Sequence, residues 1–599
     1  MPQTQARMPQ TQARSDSPFR LSSAPPNTLT QGALALAEKA LGLEELDRLY
    51  ERFQEFDGEP WDAALEVLQL ALDLDGTLEV PPSGAVLVVS NHPLSGLEGI
   101  ALLKLLKPLR PDTLLVASGP LLRIPALRPH LVGIDLFGAQ GRQAGSRELR
   151  RGLRQALAHL RKGGCVVCFP GGEGVSPDEP EWNPWAARLA QATRAAVLPF
   201  WFGGPKSTNP ATRLLHPTLR SVFLAKKVLK RQGTVLRVAA GGLVHARRLA
   251  NLSPEQATNL VRSHATALAS RIEEPGRPAA VLPAAREQEP LAEAQHPAVL
   301  EAEVAALPPE QRLAAGGGLE VWVARAHQVP HLLLEMGLER ERCFRAAGEG
   351  TGRARDLDKF DDWYLHLLLW DPAKRCLAGG YRMGLTDEIL ATRGKAGLYT
   401  QTLFHMSSSL LRQIDPALEM GRSFIREGYQ GTHGPLMLLW KAIGRWLVLH
   451  PRYRRLFGAV SISDAYKPTS RALMARWCSR HLPLRGARPL SVMPRRPFFA
   501  QLKGQARGLP GQLEDFEALD EAVSLIEGDK GVPVLFKHYA KLGGRFAGFN
   551  VDPGFGDALD GLVVVDLAFT DPRFLAMYMG REEARAYQAQ HRGEAPRQV

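Results

Sequence analysis

Ser90-Asn91-His92-Pro93-Leu94-Ser95-Gly96-Leu97-Glu98-Gly99 decides how this chain is read, because it follows an apolar stretch and sets a carboxylate one helical turn or so beyond a histidine. Ala85 to Val89 has the valine-rich character of a buried strand, Asn91 to Ser95 the polar and proline content of a turn, and Leu97 to Leu106 the pattern of an amphipathic helix. His92 is therefore expected at the carboxyl end of a strand, where α/β folds keep their active sites. A histidine there can take the proton of a hydroxyl group. Glu98 can hold the ring in the useful tautomer and stabilise the imidazolium that forms. By itself, such a pair is also what an ordinary surface turn carries.

Two further junctions give the pair a context. Cys165 to Phe169 reads as a second apolar strand, ending in Pro170-Gly171-Gly172-Glu173-Gly174-Val175-Ser176, and Ala195 to Phe202 as a third, ending in Gly203-Gly204-Pro205-Lys206. The three strand-to-turn junctions are expected to converge. Gly171 and Gly172 either let backbone N–H groups approach a substrate oxygen or simply terminate the strand. On these residues the first half resembles the glycerolipid acyltransferases, whose signature is a histidine with a nearby acid, then an F-P-x-G turn, then an apolar strand with proline. The resemblance implies that His92 is the base and Glu98 orients it. It also implies that Asn91, Pro170, Gly171, Gly172 and Glu173 line the substrate, and that a lipid hydroxyl attacks an acyl thioester. Two departures matter. Five residues separate His92 from Glu98 and the acid is Glu where Asp is usual, which resembles a branch acylating lysolipids other than lysophosphatidate. Glycine also follows Pro170 where an acid is usual, which leaves the role of Glu173 open.

Composition bounds the partners. A chain of 599 residues exceeds one core, and its 45% apolar and 23% charged content is that of a globular protein. A net charge of +12 calls for an anionic partner. No zinc-finger spacing, RNA-binding signature or basic-aromatic tract is present, so nucleic acid is not expected. An anionic membrane surface and an acidic acyl carrier protein are. Arg147 to Arg161 and Ser221 to Arg231 are the most basic helical stretches, either docking faces or solvated surfaces. The 5 cysteines give no disulfide framework and indicate a reducing compartment. Cys165 and Cys168 would point to opposite faces of one strand, as core packing and not as metal ligands. No metal, nucleotide or other bound cofactor is expected. Pro435 to His450 comes nearest to a membrane span, but Lys441 and Arg445 interrupt it and a core helix is expected. The expected location is the cytoplasm, peripheral on the cytoplasmic face of the inner membrane.

Met1 to Arg7 is repeated as Met8 to Arg14, without the apolar core of a secretion signal, and residues 1–30 read as a disordered tail. A first domain is expected over 31–274, a Pro- and Ala-rich linker over 275–297, a second domain over 298–590 and a short tail over 591–599.

The second domain carries its own constellation. Arg340 and Phe344 lie four apart on a predicted helix, and Asp356, Asp358 and Asp361 follow as D-x-D-x-x-D. Arg382 ends a strand-like run, and Glu419 precedes Arg422 in an E-x-x-R. The spacing resembles the acyl-homoserine-lactone synthases, N-acyltransferases of the GNAT fold that draw on acyl carrier protein, with Asp356 replacing a Glu. Longer strings are FRAAGEGTG from Phe344, FDDWYLHLLLWD from Phe360, GRSFI from Gly421, FGAVSIS from Phe457 and VLFKHYAKLGGRFAGFNVD from Val534. They resemble the hemolysin-like N-acyltransferases that make lyso-ornithine lipid. The order of the two halves resembles the bifunctional ornithine lipid synthases.

These resemblances imply an α/β chain of two domains, a glycerolipid-acyltransferase-like one followed by a GNAT-like one with a mixed sheet. The second domain would N-acylate ornithine with a 3-hydroxyacyl group from acyl carrier protein, or from acyl-CoA, and the first would O-acylate the lysolipid. Glu419 is then the candidate base or amine-orienting carboxylate. Arg340, Phe344, Asp356, Asp358, Asp361, Arg382 and Arg422 are the binding set. An ion network that only shapes the fold is an equal reading of the acids and arginines. His366 reads as a satisfied core histidine. The alternative function is a 1-acylglycerol-3-phosphate-type lysophospholipid acyltransferase fused to an N-acyltransferase acting on another amino acid.

Overall fold

Val86–Ser90 is buried at all five positions, as only a strand covered on both faces can be, and it forms the middle of the first sheet. The computed structural model describes residues 43–94, 96–117, 119–134, 142–171, 182–204, 227–273, 288–431, 434–484, 491–528 and 530–592. The chain divides into two α/β units between Gly276 and Arg277, with Gly504–Glu514 belonging to the first.

In the first unit the described strands are β1 (Ala71–Asp75), β2 (Val86–Ser90), β3 (Leu114–Ala117), β4 (Leu131–Gly133), β5 (Cys165–Cys168), β6 (Ala196–Phe202) and β7 (Val235–Ala240). They form one sheet in the order β1-β7-β6-β2-β5-β3-β4. The run from β6 to β4 is parallel throughout, while β7 pairs antiparallel with β6. A parallel pair needs a crossover, and Leu97–Leu106 supplies the helix after β2. Its first turn starts from Gly96 at φ 109°, a left-handed conformation that favours glycine. Gly99 lets the helix lie close to the sheet, since a Cβ there would come within 2.7 Å of the Leu115 side chain. Cys165 and Cys168 are both fully buried in β5, and burial pushes the Cys165 thiol up to about 11.

The second unit has an eight-stranded sheet in the order β16-β17-β14-β13-β11-β10-β9-β8. These are β8 (Arg312–Gly316), β9 (Leu319–Arg325), β10 (Leu365–Asp371), β11 (Cys376–Leu385), β13 (Ala417–Ile425), β14 (Arg455–Ile462), β16 (Arg545–Asp552) and β17 (Ala558–Asp566). β12 (Phe404–Met406) and β15 (Val492–Pro494) make a separate two-stranded ladder. Every neighbouring pair in the large sheet is antiparallel except β13 and β14. That parallel pairing covers only Ala417 to Glu419 against Arg455 to Phe457, although both strands continue beyond it. The mixed sheet is the one expected for this half.

The helix Pro330–Ala346 packs Leu332 and Met336 against Leu368, Trp370 and Phe424 of the sheet. Gly434–Leu449 is the helix read from Pro435 to His450, and it buries Leu439, Trp440 and Ile443 while Lys441 and Arg445 face outward. No helix among the described residues is long and apolar enough to cross a membrane.

The last part of the expected linker differs from its reading. Residues 288–296 are tied to the second unit, Glu289 N donating to Gly352 O at 2.8 Å and Ala292 N to Ala354 O at 3.1 Å. Gln295 N also donates to Glu335 Oε2 at 2.8 Å. The stretch has no regular period, yet its backbone donors find partners in a loop, and composition alone does not reveal that.

Candidate active sites

The carboxyl ends of β5, β2 and β6 are adjacent in the first sheet, so the residues that follow each strand meet. Asn91 leaves β2 and aims its side-chain amide at β6. Its Nδ2 donates to Phe202 O at 2.9 Å, and its Oδ1 accepts from Phe202 N at 2.7 Å. This amide acts as one more rung of the β2–β6 ladder, so Asn91 positions the turn rather than offering a free amide to a substrate.

His92 comes next, with its ring stacked on Phe169 at a centroid distance of 4.5 Å and an interplanar angle of 22°. His92 Nδ1 lies 3.2 Å from Glu98 Oε2, with the histidine side chain 11% exposed and the glutamate 0%. Glu98 also accepts from Gly96 N at 3.0 Å and from Leu94 N. The carboxylate therefore satisfies the orphan N–H groups of a helix start while facing the imidazole, and the first turn of a helix favours its negative charge. With Nδ1 turned to Glu98, Nε2 is the ring nitrogen on the side away from the carboxylate. Pro170 follows Phe169, and its carbonyl accepts from Asn183 N at 3.1 Å. Gly171 is the last described residue of that turn, and Gly172 and Glu173 lie outside the described residues, as do residues 221–226 of the second basic stretch. The first basic stretch lies in the helix Arg142–Arg161.

In the second unit the expected set comes together as a buried ion cluster. Arg340 is fully buried and places Nη1 2.8 Å from Asp361 Oδ1. Arg382 Nη1 lies 2.7 Å from Asp358 Oδ1 and 3.2 Å from Asp361 Oδ1. Arg422 turns to the third acid, with Nε 2.9 Å from Asp356 Oδ2. Burial opposes ionisation of Asp361, but the guanidinium groups of Arg340 and Arg382 outweigh it and hold the carboxyl well below its usual range. Phe344 packs edge to face on Phe555, over which Arg422 also lies at 4.7 Å. Arg422 has φ 51°, an uncommon conformation for a side-chain-bearing residue, next to an irregularity in the β11–β13 register. His366 is buried and takes Asp361 O as partner at 2.8 Å, and burial lowers it to about 4.

Glu419 is also buried, and both of its oxygens are engaged. Thr400 N donates to Oε1 at 2.5 Å, Tyr399 N to Oε2 at 3.2 Å, and Tyr364 Oη to Oε2. Burial raises its carboxyl. What its oxygens hold is the Tyr399–Thr400 turn and the Tyr364 hydroxyl. Tyr399 in turn accepts from Arg422 Nη1 at 3.1 Å and lies under the Arg382 guanidinium at 5.1 Å.

Tyr364 and Tyr399 were missed in the sequence, as were Phe169 as a ring partner and Glu349, which accepts from Ser461 Oγ at 3.0 Å. The FDDWY string held the only signal for Tyr364. Among the described residues no group of three or more His, Cys, Asp or Glu is arranged to hold a metal ion.

The acetyltransferase (GNAT) domain family matches residues 340–441, which span Arg340, the acid cluster, Arg382, Glu419 and Arg422. Glycine N(alpha)-acyltransferase of Phocaeicola vulgatus is 29% identical over 257 residues, 40% of this chain and 77% of the relative. The protein of the same name from Bacteroides thetaiotaomicron is 28% identical over 273 residues, 42% of this chain and 80% of the relative. The chain is an acyltransferase with a GNAT domain. Lyso-glycine lipid O-acyltransferase of Phocaeicola vulgatus is 26% identical to this acyltransferase over 152 residues, 24% of the chain and about half, 52%, of the relative. Similarity thus extends to relatives named for acyl transfer to nitrogen and to oxygen.

Proposed function

We propose that this acyltransferase builds a doubly acylated amino-acid lipid in two steps. The second unit acylates the α-amine of ornithine or a related amino acid with a 3-hydroxyacyl group delivered as a thioester by acyl carrier protein. The first unit then acylates the hydroxyl of that chain. In the first step the amine nitrogen attacks the thioester carbon, a C–N bond forms, the C–S bond breaks, and the amine's proton ends on the departing thiolate. In the second step His92 Nε2 takes the hydroxyl proton as the C–O bond forms, then returns it to the thiolate as the C–S bond breaks.

The observation that carries the reading is the His92–Glu98 pair at 3.2 Å at the end of the central strand. Its ring stacks on Phe169 and faces a buried carboxylate that stabilises an imidazolium, as a hydroxyl-deprotonating base requires. The relatives named for glycine N-acylation and for lyso-glycine lipid O-acylation support the same order of steps, and glycine is the second candidate acceptor. Carrying both activities on one chain keeps the lysolipid near its next catalyst, an effect of raised local concentration. The net charge of +12 suits an acidic carrier protein and an anionic membrane surface on the cytoplasmic face.

The test is expression in a host without aminolipids, with mass spectrometry of the membrane lipids. Wild type is expected to give the diacylated aminolipid, and His92→Ala to accumulate the monoacyl form with little of the diacyl product. Equal diacyl product from both proteins would remove His92 from the O-acyl step, and a change in phospholipid acyl chains with no new aminolipid would overturn the reading.

A further inference from the structure

Beyond the end of the β13–β14 ladder, the second unit holds two acids that the ion cluster does not use, Asp560 buried and Glu349 half-buried. Glu349 sits in a turn held by Glu341, which accepts from Thr351 N at 3.0 Å and Gly352 N at 2.8 Å. Gly348 and Gly350 flank it at φ 76° and 111°, conformations that make this turn a glycine's choice. Ser461 donates to Glu349 Oε2 and pairs directly with Asp560 across β14 and β17. Directly paired residues project from the same face of a sheet, so Asp560 lies beside the hydroxyl that holds Glu349.

Asp560 is 5% exposed, and its Oδ2 is out of solvent with no hydrogen-bond partner. Burial, and then the charges of Asp552 and Glu349, push its carboxyl well above the usual range. Burial raises Glu349 to about 7. Arg422, the cation that acts on both, is already paired with Asp356. A buried carboxylate oxygen without a donor is expensive unless it takes up a proton or a cation or donor arrives.

We propose that Glu349 and Asp560 bind the side-chain ammonium of the amino-acid acceptor, so that the second unit takes a diamino acid. This rests on the N-acylation reading above and assigns the acceptor's chemical class. The attacking α-amine is a poor occupant, because paired carboxylates favour the protonated form and an amine attacks only when neutral. A side-chain ammonium has to stay charged throughout, and it brings donors, of which Asp560 Oδ2 has none. Glycine has no such group.

The test uses the full-length protein in steady-state N-acylation assays with ornithine, lysine, glycine and norvaline, the last being ornithine's carbon skeleton without the terminal amine. Wild type is expected to favour ornithine or lysine over norvaline by about 100-fold or more in kcat/KM, since a site built for a polar group rejects the analogue lacking it. Asp560→Asn and Glu349→Gln are expected to remove most of that preference, the ornithine-to-norvaline ratio of kcat/KM falling through a raised KM for ornithine. The ratio of two substrates within one variant does not depend on how much of it folds. Norvaline or glycine used as well as ornithine by wild type, or an equal loss on every acceptor in the variants, would overturn the assignment. No acylation of any amino acid would instead bring down the N-acylation reading on which it rests.

Discussion

Glu98→Gln isolates what the buried carboxylate does for His92. When the imidazole takes a proton, a carboxylate at 3.2 Å stabilises the new charge by about 5 kcal/mol at an effective dielectric constant near 20. Solvent at the 11% exposed ring removes part of this, and a neutral amide acceptor restores about 1 kcal/mol as an ordinary hydrogen bond. About 3–4 kcal/mol remains, a loss of about 100- to 1,000-fold in the rate of O-acylation. The amide also presents an NH2 group where Glu98 accepts from both Leu94 N and Gly96 N, so one N–H loses its partner at a cost of about 1–3 kcal/mol in stability. His92→Gln leaves both Glu98 oxygens in place and is expected to cut O-acylation to a low residual rate without that loss. The assay is turnover of purified lysolipid with an acyl thioester, paired with thermal unfolding. The decisive arm is the double variant. If the two residues act as one unit, Glu98→Gln adds nothing to the activity loss of His92→Gln. A further 100-fold drop in the double variant, or an unaltered rate in Glu98→Gln alone, would refute the reasoning.

Asp361→Asn leaves Arg340 and Arg382 buried without their shared counter-ion and is expected to cost about 3–5 kcal/mol in unfolding free energy, measured by urea denaturation. Because the folded carboxyl lies below its unfolded value, the stability it contributes is present above about pH 4 and is lost as pH falls towards the folded value, so the variant is expected to show a flatter acid limb than wild type. Gly458→Ala would place a Cβ 2.1 Å from Met420 O, a backbone atom that cannot swing aside, and is expected to destabilise by about 1–3 kcal/mol and to reduce N-acylation more than O-acylation.

The first site was legible because its signal is local. A valine run, a proline turn and a helical pattern within one short stretch fix where His92 and Glu98 stand, and strand β2 lies within a residue of its reading. The role of Asn91 was not legible, since Phe202 is 111 residues away and only the strand order brings them together. In the second unit, the D-x-D-x-x-D spacing announced an acid cluster but not its partners. Asp361 goes to Arg340 and Arg382, whereas Asp356 goes to Arg422, an allocation set by a bulged register. Glu419 shows the same limit. Its sequence neighbours give no hint of Tyr364 or of the Tyr399 N–H, which packing brings from other segments. Asp560 is one polar residue within an apolar strand, and only the β14–β17 register reveals it as the neighbour of Ser461, which holds Glu349.

The Asn91 amide has a consequence for how such an enzyme keeps its base in place. By imitating a peptide group, it carries the order of the sheet one residue past the end of the strand, so the base inherits its place from the most rigid part of the unit. The place of His92 is then set by β2 and β6 through that amide. A variant that loses this amide is expected to displace the base without removing any group that reacts.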